Sequence, residues 1–282
     1  MILVPGGRGQ LGHDLAALSA DVRAVSSAEL DVTKVVAADL AGASAVINCA
    51  AYTAVDAAET DEDRAFAVNA VGPGLLAEAC ASLGIPMIHV STDYVFAGDG
   101  TRPYETSDPV GPKSAYGRTK LEGERRVLEA GGYVVRTSWV YGVQGSNFVK
   151  TMAALESSRP SLSVVDDQAG SPTWSHDLAA GLLELASVLP ETRLLHATGG
   201  GETTWFRFAQ AIFEELGADP ARVQPCTTAD FPRPAPRPAY SVLSGAAWAA
   251  AGLRPLPHWR SALSEAVHAG VVAPRAGAAP LG

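Results

Sequence analysis

The sequence is poor in thiols, in basic charge and in uninterrupted apolar runs. Its three cysteines, Cys49, Cys80 and Cys226, are far apart and odd in number among 282 residues. That spacing fits neither a disulfide framework nor a zinc site, so they read as reduced thiols of a cytoplasmic protein. The six histidines, His13, His89, His176, His196, His258 and His268, share no ligand spacing, and no metal is expected. Lys and Arg total 21 against 30 Asp and Glu, a formal net charge of −9 with no basic run. That balance argues against nucleic acid and anionic membrane as partners, while leaving room for an anionic small molecule held by a few local arginines. No stretch reaches about 18 uninterrupted apolar residues, so no membrane span is expected. The opening MILVPGG lacks the basic and long apolar regions of a secretory leader. No internal repeat is visible.

What the chain does have is 47% hydrophobic against 18% charged residues, enough apolar material for one large domain or two small ones. Apolar runs alternate with helical patterns. MILVP is followed at once by GGRGQLG, and QLGHDLAALSA puts Leu11, Leu15 and Leu18 on one helix face. DVRAV predicts a second strand, TKVVAADLAG a second helix ending at Gly42, and SAVINCAA a third strand. TDEDRAFAVNAVGPGLLAEACASLG predicts a long helix closed by glycine, and IPMIHVST a fourth strand. SAYGRTKLEGERRVLEAGG predicts another helix and YVVRTSWVYG another strand. Continuous apolar strands between helices specify a parallel sheet covered on both faces. The expected fold is therefore α/β. A Rossmann-type doubly wound parallel sheet takes residues 1–145, with residues 172–198 returning to it. A smaller C-terminal α/β substrate-binding domain takes residues 146–171 and 199–269. Within that domain NFVKTMAALESS reads as helix, SLSVVDDQ as strand, and TTWFRFAQAIFEELG as an amphipathic helix capped by Gly217. TWSHDLAAGLLELASVL, also helical, lies in the returning segment. DFPRPAPRPAYS, with four prolines, is extended or looped, and the aperiodic tail 270–282 is expected to be disordered.

Gly6, Gly9 and Gly12 form G-x-x-G-x-x-G between the first strand and the first helix, with Gln10 and Leu11 opening that helix. In such a loop one glycine permits a tight turn, the next lets backbone approach a pyrophosphate, and the last lets helix pack on strand. The helix N-terminus then faces the negative phosphates. An ordinary βα turn is the plain alternative, but the strand-loop-helix setting favours a dinucleotide. Folds of this kind commonly end the second strand in a carboxylate that holds the ribose 2′-hydroxyl. Here Ser26 and Ser27 stand at that point, with Glu29, Asp31 and Val32 a little later. No carboxylate is clearly placed to repel a 2′-phosphate. The expected cofactor is NADPH, with Arg8 or Arg23 as phosphate partner and NADH as the alternative.

Tyr116 and Lys120 are four residues apart, on one helix face and about 6 Å apart along the axis. An ammonium beside a phenol favours phenolate and lowers a tyrosine pKa from about 10 toward neutrality. Such a tyrosine can give a proton to a carbonyl oxygen as hydride reaches its carbon. Ser91 and Thr92 end the fourth strand, where ligands sit in open parallel sheets, and a hydroxyl there could polarise the same carbonyl. Alone, Tyr-x-x-x-Lys is more often a surface pair. The glycine loop and the hydroxylated strand end give it a catalytic reading.

With those residues in place the chain resembles the extended short-chain dehydrogenase/reductases, and more closely the dTDP-4-dehydrorhamnose reductase family. The matching stretches are GGRGQLG, VINCAAYTAVDAAE, VNAVGPGLLAEAC, STDYVFAGDG, AYGRTKLEGE, RTSWVYG, NFVKTM, DDQAGSPT and RPAYSVL, in order over residues 1–245. The resemblance implies NAD(P)H-dependent reduction at C4 of a dTDP-linked 4-keto-6-deoxyhexose, with dTDP-4-dehydro-L-rhamnose giving dTDP-L-rhamnose as the leading case. It implies Thr92, Tyr116 and Lys120 as the catalytic triad, with Lys120 also holding the nicotinamide ribose. It places Ala50, Ala51 and Tyr52 along the cofactor and Asp93 and Tyr94 near the triad. Trp139 would touch the sugar or its nucleotide, Asn147 the diphosphate, and Arg237 the diphosphate or nucleotide. Gln168 and Pro172 would shape the loop closing on the sugar. Each has a plain counterpart: core packing for Trp139, a helix cap for Asn147, solvation for Arg237. Some family members hold a metal with glutamates at a dimer contact. Asp14 falls near one such position and no others can be placed, so either monomer or homodimer fits.

The nearest competing function is a sibling ketoreductase of antibiotic deoxysugar biosynthesis, such as dihydrostreptose formation. An Ala- and Arg-rich, Lys-poor usage suits a high-GC genome in which such pathways are frequent. A non-enzymatic cofactor-binding subunit, like the regulatory subunit of methionine adenosyltransferase, would show a degenerate triad. An epimerase that retains its cofactor would show an acidic end to the second strand. Neither feature is present.

Overall fold

The computed structural model describes residues 1–273. The first half alternates β1 (Ile2–Pro5), α1 (Gln10–Leu18), β2 (Val22–Val25), β3 (Ala45–Asn48), α2 (Val55–Ala58), α3 (Glu62–Phe66), α4 (Gly72–Leu83) and β4 (Met87–Thr92). Then come α5 (Ala115–Glu129), β5 (Tyr133–Thr137), β6 (Val140–Tyr141), α6 (Phe148–Ser158), β7 (Leu162–Val165), β8 (Ala169–Gly170) and β9 (Thr173–Trp174). The remainder is α7 (Ser175–Val188), β10 (Leu194–His196), β11 (Thr203–Thr204), α8 (Trp205–Glu215), β12 (Val223–Cys226), α9 (Ala246–Ala250) and α10 (Trp259–His268). Six strands form one parallel sheet in the order β10-β5-β4-β3-β1-β2. The order reverses direction between β1 and β3, the place where open α/β sheets bind ligands at their carboxyl ends.

Both sheet faces are covered. On one, Val4, Ile47, Ile88 and Val135 meet Leu11 and Leu15 of α1 and Leu178, Leu182 and Leu185 of α7. On the other, Leu3, Val46, Met87 and Val134 meet Leu76 and Cys80 of α4 and Val127 of α5. A further core joins Val149 and Met152 of α6, Phe208, Ile212 and Phe213 of α8, and Leu263 and Val267 of α10. This packing explains why the strands read as unbroken apolar runs.

Three expectations need correction. The helix expected over TKVVAADLAG is two 3-10 turns, Val32–Lys34 and Ala37–Leu40. Asp31 caps the first through the Thr33 amide and the Asp39 carboxylate accepts from the Val36 amide, while β-branched Val32, Val35 and Val36 disfavour a longer helix. The strand expected over YVVRTSWVYG breaks at Ser138–Trp139, because Trp139 sits at φ 47°. Its second half pairs with β9, away from the main sheet. Val271 and Val272, expected to belong to a disordered tail, are buried with the α8–α10 core. The rest of that tail, residues 274–282, lies outside the described residues.

Residues Glu62–Leu83 run continuously through α3, a π turn at Ala67–Val71 and α4. By length and composition the segment could cross a membrane, but half of its apolar stretch is buried inside the fold. The π turn lets Asn69 leave the helix ladder. Its side chain bonds both the amide and the carbonyl of Tyr52 and also the Thr119 hydroxyl of α5. Gly123 of α5 lies against the Asn69 carbonyl, where any Cβ would collide. These contacts fix α5, and with it Tyr116 and Lys120, against the sheet.

Candidate active site

At the carboxyl ends of β1, β3, β4 and β5 the surface opens into a cleft of about 500 Å3. Its walls include Gly6, Gly9, Gln10, Leu11 and Gly12 on one side and Thr92, Asp93, Tyr94, Tyr116 and Lys120 on the other. A connected chamber of about 430 Å3 extends past Gly6 and Ala51 to Arg8, Ser26, Ser27, Asp31, Val32 and Ala50.

The glycine loop is built for close approach. Gly6 has φ 82°, and a Cβ there would lie 2.6 Å from the Ala50 amide nitrogen. A Cβ on Gly12 would lie 2.6 Å from the Cα of Gly7, so the first turn of α1 can sit directly on β1. Gly9 is the N-cap of α1 and supplies no side-chain cap. The amides opening the helix therefore lack an intrahelical partner and stand where an anion is stabilised. At the far end of the chamber the Glu29 carboxylate bonds the Ser26 amide (2.8 Å) and hydroxyl (2.7 Å). Those bonds lower its pKa, and Arg8 and Arg23 act in the same direction. Asp31 is likewise held by Thr33 and Lys34.

Thr92 and Tyr116 both line the cleft. The Thr92 hydroxyl donates to Asp93 Oδ1 (3.0 Å) and accepts from the Tyr94 amide (3.2 Å). The Tyr116 ring is T-shaped to Tyr94 at 5.5 Å. Burial pushes the Tyr116 phenol up to about 12, with a hydrogen bond to Thr92 pulling it down and Asp93 pushing it further up. The expected lowering toward neutrality by Lys120 does not occur. The Lys120 nitrogen turns to the sheet, 2.7 Å from the Val90 carbonyl and 3.2 Å from His89 Nε2. Ser91 is also turned away, its hydroxyl donating to Glu124 at 2.6 Å. Asp93 is buried, and desolvation raises its carboxyl to about 6.

Trp139 faces the cleft with its indole stacked on Trp205, centroids 3.5 Å apart. Gly170 lies against the same ring, where a Cβ would come within 2.4 Å. Trp205, Thr53, Val55, Gly145 and Ser146 also line the cleft. Sequence reasoning passed over them, although an aromatic opening an amphipathic helix was a usable signal for Trp205.

Five of the expected site residues line neither this cleft nor the adjoining chamber. Tyr52 directs its hydroxyl to Asp61 (3.3 Å). Asn147 caps α6 through the Lys150 amide and bonds Gln10 Oε1 (2.9 Å) and the Gly142 carbonyl (2.8 Å). Gln168 is buried and donates to Thr228, and Pro172 is buried beside Gly199. Arg237 pairs with Asp56 (2.9 Å) and lines a small separate depression behind Tyr94. Asp14, the residue nearest a family metal position, is buried, accepts a hydrogen bond from Ser175 and contacts His13.

A dinucleotide-sized groove that runs from a glycine cradle to a Thr–Tyr–Lys floor at the ends of parallel strands is the architecture of the Rossmann-type reductases. Comparison narrows the class. The family described as RmlD substrate binding domain matches residues 1–271. A dTDP-4-dehydrorhamnose reductase of Mycobacterium tuberculosis is 50% identical over 281 residues, spanning 95% of this chain and 92% of that protein. The crystal structure of a dTDP-4-dehydrorhamnose reductase from Clostridium acetobutylicum superposes with a TM-score of 0.91 at 41% identity, covering 95% of this chain and 98% of that one. A Bacillus anthracis dTDP-4-dehydrorhamnose reductase solved in complex with NADP gives 0.89 at 34% identity, covering 94% and 97%. The chain belongs to the dTDP-4-dehydrorhamnose reductase family.

Proposed function

We propose that this protein reduces the C4 ketone of dTDP-4-dehydro-L-rhamnose to the alcohol of dTDP-L-rhamnose with NADPH. The observation that carries the reading is that Thr92, Tyr116 and Lys120 line the same cleft that the glycine cradle enters. NADPH, when bound, supplies the hydride to the carbonyl carbon. Tyr116 donates the proton to the carbonyl oxygen, and Thr92 orients both. Gly6, Gly9, Gln10, Leu11 and Gly12 receive the pyrophosphate through backbone amides. Ala50 and Ala51 flank the cofactor, while Ser26, Asp31 and Val32 line its adenosine end. Arg8, beside Ser26 and Ser27, supports a 2′-phosphate there. Lys120 stands where the nicotinamide ribose would lie, with Ser91 behind it. Asp93, Tyr94 and Trp139 face the sugar and its nucleotide. Tyr52, Asn147, Gln168 and Pro172 act as positioning residues of the walls, and Arg237 is a reserve cation for the diphosphate. The same reading makes this a cytoplasmic enzyme, monomeric or homodimeric, with three unpaired thiols.

The test is to mix the protein with enzymatically prepared dTDP-4-dehydro-L-rhamnose and NADPH or NADH, follow nicotinamide absorbance and identify the sugar. One nicotinamide oxidised per dTDP-L-rhamnose formed is expected. Absence of stoichiometric oxidation overturns the reading, and a branched furanose product moves it to the dihydrostreptose sibling.

Gly170→Ala probes the Trp139 wall. The new methyl must displace the indole. If the indole contacts the nucleotide sugar, its KM should rise about tenfold with a smaller change in kcat, the scale of one lost base–aromatic stack. Steady-state kinetics with varied sugar and saturating NADPH would show it; an unchanged KM excludes that contact.

A further inference from the structure

Behind the cleft a buried chain of polar groups runs from the backbone of Ala50 to Lys120. The Ala50 amide lies 3.0 Å from Asn48 Oδ1, Asn48 Nδ2 lies 3.1 Å from His89 Nδ1, and His89 Nε2 lies 3.2 Å from Lys120 Nζ. Lys120 Nζ ends the chain on the Val90 carbonyl at 2.7 Å. Asn48, His89 and Lys120 are each at most 1% exposed.

The two ends of this chain have fixed polarity. A backbone amide only donates, so the Asn48 atom facing Ala50 must be the carbonyl oxygen. The other end of that side chain is then the NH2 group, which donates to His89 Nδ1. A neutral imidazole accepting at Nδ1 carries its proton on Nε2 and points it at Lys120. The Val90 carbonyl only accepts, so Lys120 must donate to it. An ammonium has three N–H groups and no lone pair, and would set N–H against N–H at His89. A neutral amine satisfies every contact: it accepts from His89, donates to Val90 and keeps one N–H for the cleft.

We infer that the backbone of Ala50, through Asn48 and the His89 tautomer, favours the uncharged amine of Lys120 over its ammonium before cofactor binds. His89 is a positioning residue in this scheme.

The surrounding charges are compatible with it. Burial holds the His89 imidazole well below its usual range, so it cannot relieve the conflict as imidazolium. Burial pushes Lys120 down to about 8, against the upward pull of Glu124 on α5 and Cys49 after β3. Glu124 makes no hydrogen bond to the amine, since its oxygens take two bonds from Arg136 of β5 and one from Ser91. Tyr116, one turn before Lys120 on α5, is kept a neutral phenol by its own burial.

The inference does not depend on which sugar is reduced, and its test does not read activity. In cofactor-free protein labelled with 15N-histidine and 13C-lysine, His89 is expected to stay neutral with its proton on Nε2 from about pH 6 to about pH 9. Among only four lysines, Lys34, Lys113, Lys120 and Lys150, the Lys120 Cε signal should titrate at or below about 8. His89→Gln and Lys120→Gln identify the signals. Asn48→Asp replaces the NH2 by an acceptor of the same shape, so the His89 proton should move to Nδ1 and Lys120 should become ammonium. An Nδ1-protonated or charged His89 in the unaltered protein overturns the inference. So does a Lys120 that titrates above about 8. The unaltered protein alone decides if Asn48→Asp does not fold.

Discussion

Tyr116→Phe is expected to lower kcat by about 10²–10⁴-fold while leaving the NADPH dissociation constant within about twofold, the range of a lost general acid. The substitution keeps the ring, and with it the T-shaped contact to Tyr94 at 5.5 Å. Only the hydroxyl disappears. In the free protein that hydroxyl is protonated across the physiological range, because burial holds it near 12. The enzyme therefore starts in the form that a ketone reduction needs. Thr92 is the one neighbour that opposes the upward shift, so it also sets how readily the proton leaves. Thr92→Val should act in the same direction but less, and the double variant should fall little below Tyr116→Phe alone if the two act as a unit. Cofactor affinity is read by fluorescence titration and turnover by NADPH oxidation. A fall of less than about fivefold for Tyr116→Phe would move the proton donor elsewhere, most directly to Asp93, whose carboxyl is raised to about 6 in the same cleft.

Much of this geometry was legible in the chain, for physical reasons. Strand–glycine loop–helix order is a local pattern, so Gly6, Gly9 and Gly12 could be placed from spacing alone. Tyr116 and Lys120 could be put on one face because a helix repeats every 3.6 residues. What the pattern could not carry was direction. Four-residue spacing says that two side chains share a face, not that their ends meet. Lys120 is long enough to swing to Val90 and His89, and burial decided that it did. Asn147 could have been ligand or cap; its amide group is fully used by Lys150, Gln10 and Gly142, which sequence separation of 137 residues from Gln10 could not reveal. The broken strand at Trp139 was invisible for a similar reason. A left-handed tryptophan is unfavourable locally and is held by Trp205 and Gly170, both remote in sequence.

Arg136→Met is expected to remove about 3–5 kcal/mol of stability, the usual loss when one partner of a buried ion pair is deleted. Arg136 and Glu124 are 3% and 1% exposed and join through two bonds, 2.9 and 2.7 Å. The guanidinium also lies over the Phe96 ring at 4.9 Å. Methionine fills much of the same volume, so the loss would come from the stranded carboxylate and not from a cavity. Arg136→Met with Glu124→Met should recover much of the loss, since a buried pair exchanged for apolar groups is often neutral or better. Urea unfolding of both variants measures this. If the double variant is as unstable as the single one, the pair is not the source of the loss. Ser91 gives the experiment a bearing on the site. It donates to Glu124 and precedes Thr92, so a Glu124 left without Arg136 can pull on the strand end that orients Tyr116. Turnover of the single variant should fall even below its unfolding temperature, and the double variant, lacking that acceptor, tells whether strand position or charge is responsible.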